Sequence, residues 1–376
     1  MPSSIKNETV GIGILGAGNI SELCVRGYVD DQRCKVVAIC DTDIDKAKSK
    51  ALRWGVETIY SDIDDFLNDE RIDAVEILTP TYLHHDHVIK VSEAKKHISC
   101  QKPIANTVTD GREMVKAAES ADIIFRINEC FYHYPPLEKA KHHIQKGHIG
   151  TPQQVRVHTL VGQTDSKFQA MLEAEGYTWR LNQNSPGGHI FDDIVHKIAV
   201  SQWLVDQKIV NLSSTLRRKH TFFEPFVALL EYENRDLIGM LDSTYAENMW
   251  LNSSYYGADE FIEIIGDEGF IWVTRCTGEM LNLAPLVLYD GKNNKKHFEH
   301  FNQVDSDWGT GFKRSASYFI DSITNKKDLS ISPMMTPDDA INVLQICFAI
   351  YKSAQTGTKV DPRTIDDFVI SPGGYP

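Results

Sequence analysis

Short apolar runs alternate with helix-period stretches over the first third of the chain, and that alternation predicts its architecture. Residues 10–15, VGIGIL, read as a strand, and NISELCVRGYVDD as the helix after it. KVVAIC is a second strand, followed by DIDKAKSKALRWG, whose apolar positions recur at helical spacing. TIYS is short and polar, and DIDDFLNDE reads as a small acidic helix. AVEILT, HISCQK and IIFRIN are three more strands, with helices around 88–96 and 113–121 between them. Strands separated by such helices make βαβ units, so the expectation is a parallel sheet.

The pattern then changes. After a helix near 137–146, TPQQVRVHTLVG starts as a strand, and a helix is expected around 191–205. Three hairpins follow, pivoting at Asn234, at Asp267–Gly269 and at Gly291–Asn294, where Gly, Asn and Asp interrupt alternating apolar runs. Helices near 312–324 and 338–354 come last, with Pro337 ahead of the second, where a proline is tolerated. This part reads as an α+β domain on a large, mostly antiparallel open sheet. A tight junction near 130–135 is expected, giving domains 1–131 and 132–376.

Composition narrows the class. The chain has 376 residues, 42% hydrophobic and 24% charged, as expected of a globular protein of two domains. Its net charge of −13 argues against nucleic acid or an anionic membrane as partner. No apolar run approaches the roughly 20 residues of a membrane span. Met1 to Thr9 is polar and unlike a signal peptide. Seven scattered cysteines, without a CxxC pair, fit reduced thiols and a cytoplasmic location.

GILGAGNIS places Gly16 and Gly18 at the end of the first strand, where backbone N–H groups can approach a pyrophosphate. Ser21 stands where a third glycine is usual. Asp41 ends the second strand, in the place of a ribose-binding acid. Dinucleotide binding follows. A carboxylate accepts from ribose hydroxyls and opposes a 2′-phosphate, and Thr42 and Asp43 supply no cation, so NAD is favoured over NADP. Asp41 as a helix N-cap is the competing structural role.

HISCQKPIAN ends a buried strand on a lysine fixed by Pro103. Together with GIGILGAGNI, VVAICDTD, ILTPTYLHHDHVIK, NECFYHYPPLEKAKHHIQKGHIGTP, WRLNQNSPGGHIFDDIVHKI and GDEGFIW, it makes the chain resemble the glucose–fructose oxidoreductase, inositol dehydrogenase and MocA family over nearly its whole length. The resemblance implies an N-terminal Rossmann domain, α/β, and a C-terminal α+β domain for substrate and oligomerisation. The family's Glu-Lys-Pro reads Gln101-Lys102-Pro103 here, which removes a negative charge beside Lys102. Its Gly-Gly stretch with Asp and His reads Gly187, Gly188, Asp192 and His196, with Ile194 where a glycine is usual.

Oxidising a secondary alcohol removes a hydride from carbon and a proton from oxygen. Lys102, Asp192 and His196 are the candidate catalytic residues: Lys102 to hydrogen-bond the reacting oxygen, His196 to accept its proton, Asp192 to orient the ring or bind a neighbouring hydroxyl. By resemblance, cofactor contacts fall to Gly16, Gly18, Asn19, Ile20, Asp41, Thr42, Thr79, Pro80, Thr81, His84, Gln101, Lys102, Glu129, Trp179 and Arg180. Substrate contacts fall to Lys102, Tyr132, Arg180, Asp192 and His196. Zinc at His84, His85, Asp86 and His87 is the rival to a cofactor role for that segment, and no metal is expected. The expected activity is NAD-dependent oxidation of a secondary ring hydroxyl of a sugar, glycoside or cyclitol, by a homodimer or homotetramer. A redox glycosidase using bound NAD, and a sensor that binds dinucleotide without turnover, are the alternatives.

Overall fold

The computed structural model describes residues 9–174, 188–217, 222–291, 297–325 and 334–367, the first stretch without side chains beyond 170. These residues form two compact units: the chain up to His133 with Gly311–Ile341, and Tyr134–Thr310 with the chain after Asn342.

In the first unit, β1 (Val10–Leu15), β2 (Cys34–Cys40), β3 (Thr58–Tyr60), β4 (Ala74–Ile77), β5 (His97–Gln101) and β6 (Phe125–Asn128) pair in parallel in the order β3-β2-β1-β4-β5-β6. That is the Rossmann order, whose ligands bind where strand succession reverses, here between β1 and β4. The expected first helix is split into α1 (Ser21–Cys24) and α2 (Arg26–Val29), although Val25 between them keeps helical torsions. The polar TIYS stretch is edge strand β3, half-buried throughout. Helices α3 (Ile44–Trp54), α4 (Ile63–Leu67), α5 (His84–Glu93) and α6 (Val108–Ser120) follow, and Asp43, Asp62 and Thr107 cap α3, α4 and α6 by accepting first-turn N–H groups.

The second unit carries α7 (Pro135–Gln145), β7 (Pro152–Gln163), α8 (Lys167–Ala174), a π turn (Ile190–Ile194) running into α9 (Val195–Val205), and strands β8 (Ile209–Leu216) to β14. Strands β9 (Phe226–Tyr232), β10 (Ile238–Trp250), β11 (Ala258–Gly266), β12 (Gly269–Val273), β13 (Leu286–Asp290) and β14 (His297–His300) make the expected hairpins, the last with its pivot partly outside the described residues. The sheet order is β14-β13-β12-β11-β7-β10-β9-β8, antiparallel except where β7 meets β10. Strand β9 alternates Phe226, Ala228 and Leu230 inward with Val227 and Leu229 outward. The outward face also carries Phe270, tilted at 4.6 Å against Trp272 and stacked at 5.4 Å on Tyr289. Helices α10 (Trp308–Asn325) and α11 (Pro337–Thr356) follow.

From Gly311 on, α10 packs into the first unit. A Cβ on Gly27 would lie 2.5 Å from the Ala316 Cβ, so α10 and α2 touch where no larger residue fits. Beneath them runs a buried polar network. Arg126 on β6 is 1% exposed, donates to Ser99 Oγ at 3.1 Å and to Ser315 Oγ at 2.8 Å, and lies 4.7 Å from the Phe319 ring centre. Asn128 and Tyr28 both donate to fully buried Glu76, at 2.8 and 2.5 Å. Burial pushes the Glu76 carboxyl up, and Arg126 and these hydrogen bonds offset that only in part.

Buried histidines give the fold a pH dependence. Burial lowers His84, His97 and His133, takes His87 to about 4, and takes His143 to about 4 with help from His148 and Lys139. A histidine depressed in the folded state binds its proton more readily unfolded, so its stabilisation is present above pH 6.5 and lost as pH falls towards 4. Asp259 works in the opposite direction: burial and then Glu260 push it up to about 6, so its contribution is lost as pH rises towards 6. Glu76, His85 and His158 are raised as well and act with Asp259, offsetting part of what the lowered histidines contribute. Urea unfolding is expected to show stability falling on the order of 2 kcal/mol each for His87 and His143 between pH 7 and 4.5. Flat or rising stability over that range would contradict this account.

Candidate active site

At the end of β1, Gly16 takes φ +104°, and a Cβ there would lie 2.9 Å from the Thr79 nitrogen at the end of β4. Glycine is therefore required at the switch point by backbone geometry alone. Gly18 is different: an added Cβ would meet nothing within 4 Å, so the backbone faces open space. Ile20 already has helical torsions, and Ser21 turns its hydroxyl back to the Gly18 carbonyl at 2.6 Å. Asn19 Nδ2 is buried without a hydrogen-bond partner. An open glycine and an unspent amide donor beside it are what a pyrophosphate needs, so the turn fits a dinucleotide.

Asp41 closes this turn from β2. Its Oδ2 accepts the Ala17 N–H at 2.6 Å and its Oδ1 accepts the Asp43 N–H at 2.8 Å. The helix cap role belongs to Asp43, which accepts from Asp45 and Lys46 at the start of α3. Asp41 holds the glycine turn instead, and each carboxylate oxygen keeps a further lone pair for a hydroxyl donor. Thr42 beside it is exposed.

The loop Thr79, Pro80 and Thr81 after β4 is tied down by histidines. His84 is 1% exposed, with Nε2 2.9 Å from the Thr79 carbonyl and Nδ1 3.0 Å from the Pro103 carbonyl. It thus joins the loop after β4 to the loop after β5. His87 Nδ1 pairs with Thr79 Oγ1 at 2.9 Å, and His85 with Asp86 and Glu113, both at 2.9 Å. The histidines of this segment hold separate partners and share no ligand point.

Gln101 ends β5 buried, accepts the Lys102 N–H at 2.8 Å and donates to Cys24 Sγ at 3.6 Å. The peptide bond Lys102–Pro103 is cis. Lys102 thus leaves the carboxyl edge of the parallel sheet, the edge that carries the glycine turn. Glu129 follows β6, buried, and accepts the Phe131 N–H at 3.0 Å; Tyr132 lies in the next turn and is 6% exposed.

In the second unit, the spacing of Asp192 and His196 predicts a plain α-helix, and the structure has a π turn before it. The Val195 N–H reaches the Ile190 carbonyl five residues back. Such turns are frequent at functional sites. Gly188 precedes it at φ +70°, the left-handed region that favours glycine, and a Cβ there would lie 2.6 Å from Glu224 Oε2 and 2.9 Å from the Tyr351 hydroxyl. Asp192 is half-buried and His196 is 5% exposed. Trp179, Arg180 and Gly187 lie outside the described residues. Three charged residues that the sequence reading passed over sit beside this helix: Asp193, Lys197 and Glu260. An Asp and a Lys four apart in an otherwise apolar helix were the signal.

A Rossmann sheet with an open glycine turn and an acid at the end of β2, in a chain with a second α/β unit, fits a dinucleotide-binding protein of two domains. The chain belongs to the glucose–fructose oxidoreductase, inositol dehydrogenase and MocA family: residues 10–129 match its model for an oxidoreductase family with an NAD-binding Rossmann fold, and residues 141–361 match its C-terminal alpha/beta domain. The protein YMR315W of Saccharomyces cerevisiae is 26% identical over 92% of this chain and 96% of its own. D-glucoside 3-dehydrogenase of Escherichia coli is 23% identical over 96% of this chain and 100% of its own. Among solved structures, scyllo-inositol dehydrogenase from Lactobacillus casei, with bound NAD(H) and scyllo-inositol, superposes with a TM-score of 0.74 at 19% identity, covering 95% and 100% of the two chains.

Proposed function

We propose that this protein oxidises a secondary ring hydroxyl of a sugar, glycoside or cyclitol with NAD. The observation that carries the reading is a lysine leaving β5 at the same sheet edge as the open glycine turn of an NAD-binding fold. Bound NAD supplies the hydride acceptor. His196 takes the hydroxyl proton, Lys102 hydrogen-bonds the oxygen as it gains alkoxide character, and Asp192 orients the imidazole or a second hydroxyl. The products are a ketone, NADH and a proton. Asp41 makes NAD the preferred cofactor over NADP. D-glucoside 3-dehydrogenase and scyllo-inositol dehydrogenase, by name, act on such rings, which supports the substrate class.

Incubating the protein with NAD and scyllo-inositol, myo-inositol, aldohexoses or methyl glucosides is expected to give NADH fluorescence with at least one of them. Nitrophenyl glycosides run in parallel test for cleavage without net NADH, which would mark a redox glycosidase. NAD binding with neither signal would mark a sensor and overturn the reading. Light scattering on the same preparation checks for the homodimer or homotetramer, with the outward aromatic face of the second sheet as its seat; a monomer removes that part.

A further inference from the structure

Lys197 and Glu260 are charged, buried and have no part in the proton transfer above. They are 2% and 1% exposed. Lys197 Nζ lies 2.6 Å from Asp193 Oδ1 within its own helix and 2.6 Å from Glu260 Oε1 on β11. Glu260 is itself fixed, accepting the Thr277 N–H at 2.9 Å and the Thr277 hydroxyl at 3.2 Å. On the far side, His189 Nε2 faces Asp193 Oδ2 at 3.2 Å. Burial opposes the charge on Lys197, and Asp193 and Glu260 overcome it, holding its pKa above the ordinary lysine value. Burial likewise pushes Asp193 up, but Lys197, His189 and His196 outweigh it and hold it well below the usual carboxylate range.

Such a cluster is a poor way to gain stability. Desolvating two carboxylates and an ammonium costs several kcal/mol per ion, and apolar side chains of equal volume usually do as well. What ions add is direction. The rest of α9 is buried on nearly every side: Ile198, Ala199, Val200, Leu204 and Val205 are all in the core. Apolar packing is non-directional, and directional contacts elsewhere on α9 sit in its last turns, where Gln202 accepts the Ile209 N–H at 2.8 Å and Lys141 donates to the Trp203 carbonyl at 2.5 Å. The bridge from Thr277 through Glu260 and Lys197 to Asp193 permits one register. Asp193 adjoins Asp192, and Lys197 adjoins His196. The locked segment is the π turn and the first turn of α9.

We propose that Lys197 and Glu260 are positioning residues, a strut from β11 that locks the π turn so that Asp192 and His196 are presented in a single register. This rests on the oxidation proposed above, and its test separates the two. Glu260→Gln keeps the shape and an acceptor for Thr277 but removes the charge; Glu260→Asp keeps the charge but shortens the reach. Lys197→Met would strand two carboxylates and is expected to unfold, so the Glu260 variants carry the test. Both are expected to lower kcat about tenfold on the ring polyol that wild type turns over fastest, with KM and NADH affinity within about twofold. Amide hydrogen exchange over 193–201 is expected to speed up in both. A folded Glu260→Gln protein with wild-type kcat overturns the proposal, whatever its exchange, since a merely structural ion pair would lower stability and leave kcat alone. If wild type oxidises no polyol in the screen, the functional reading has failed instead. Exchange then decides the strut: unchanged protection over 193–201 overturns it, and faster exchange there alone supports it.

Discussion

Replacing His196 with alanine is expected to lower turnover at neutral pH on the order of a hundredfold or more while NADH binding measured by fluorescence stays near wild type, and Lys102→Ala is expected to lower turnover at least as much. His196 is buried, and general-base catalysis by a placed imidazole accounts for a loss of that size. Lys102 leaves the sheet at a position fixed from two sides. Gln101 accepts its N–H, and Pro103 follows it with a carbonyl held by His84. In the proposed reaction the ammonium carried on this fixed backbone meets the developing alkoxide, where donors act most strongly. Lys102→Arg is not expected to rescue, because a guanidinium differs in shape and cannot give up a proton. Full activity in Lys102→Arg would reduce the lysine to a positioning charge, and near-normal kcat in folded His196→Ala would remove the histidine as base. Steady-state kinetics beside NADH titration reads both, since a variant that merely misfolds loses cofactor binding as well.

How far the sequence reveals this protein depends on how local each signal is. Five of the six parallel strands are legible because each is a short apolar run between helices, whereas β3 hides in the short polar stretch TIYS; the hairpins are legible because their turns carry Gly, Asn and Asp. Strand β8 hides: Asn211, Ser213, Ser214 and Thr215 make an edge strand look like a loop, and only its pairing with β9 makes it β. The parallel pairing of β7 with β10 joins segments about eighty residues apart, and no turn chemistry announces it. At the site, residue identity is legible and role is not. Gly188 is legible as part of a Gly-Gly stretch, but its φ of +70° and the closeness of Glu224 and Tyr351 to the position of a Cβ are not. His84 gives no sign in the sequence of joining two loops, yet its ring nitrogens face the carbonyls of Thr79 after β4 and Pro103 after β5. The strut at Lys197 needs β11 beside α9, which no window of sequence can show.

Changing Asp41→Ser with Thr42→Arg is expected to weaken NAD and improve NADP, moving the ratio of the two affinities by about a thousandfold. In the proposed cofactor site Asp41 accepts from the ribose hydroxyls, and losing two charge-assisted hydrogen bonds costs a few kcal/mol, tenfold to a thousandfold in affinity. Removing it also removes the repulsion of a 2′-phosphate of about two charges, and an arginine at exposed position 42 adds a partner for it. The structure complicates the experiment in one respect. Asp41 also accepts the Ala17 and Asp43 N–H groups, so Asp41→Ser loosens the glycine turn and costs about 1 kcal/mol or more of stability. A loosened turn weakens both cofactors alike, because the pyrophosphate they share sits on it. The ratio is therefore the quantity to measure, and it is insensitive to that common loss. Titrating NADH and NADPH against wild type and the double variant decides between the roles. Equal weakening of both cofactors would leave Asp41 as a brace for the turn alone, and wild type binding NADPH as tightly as NADH would refute the assignment outright.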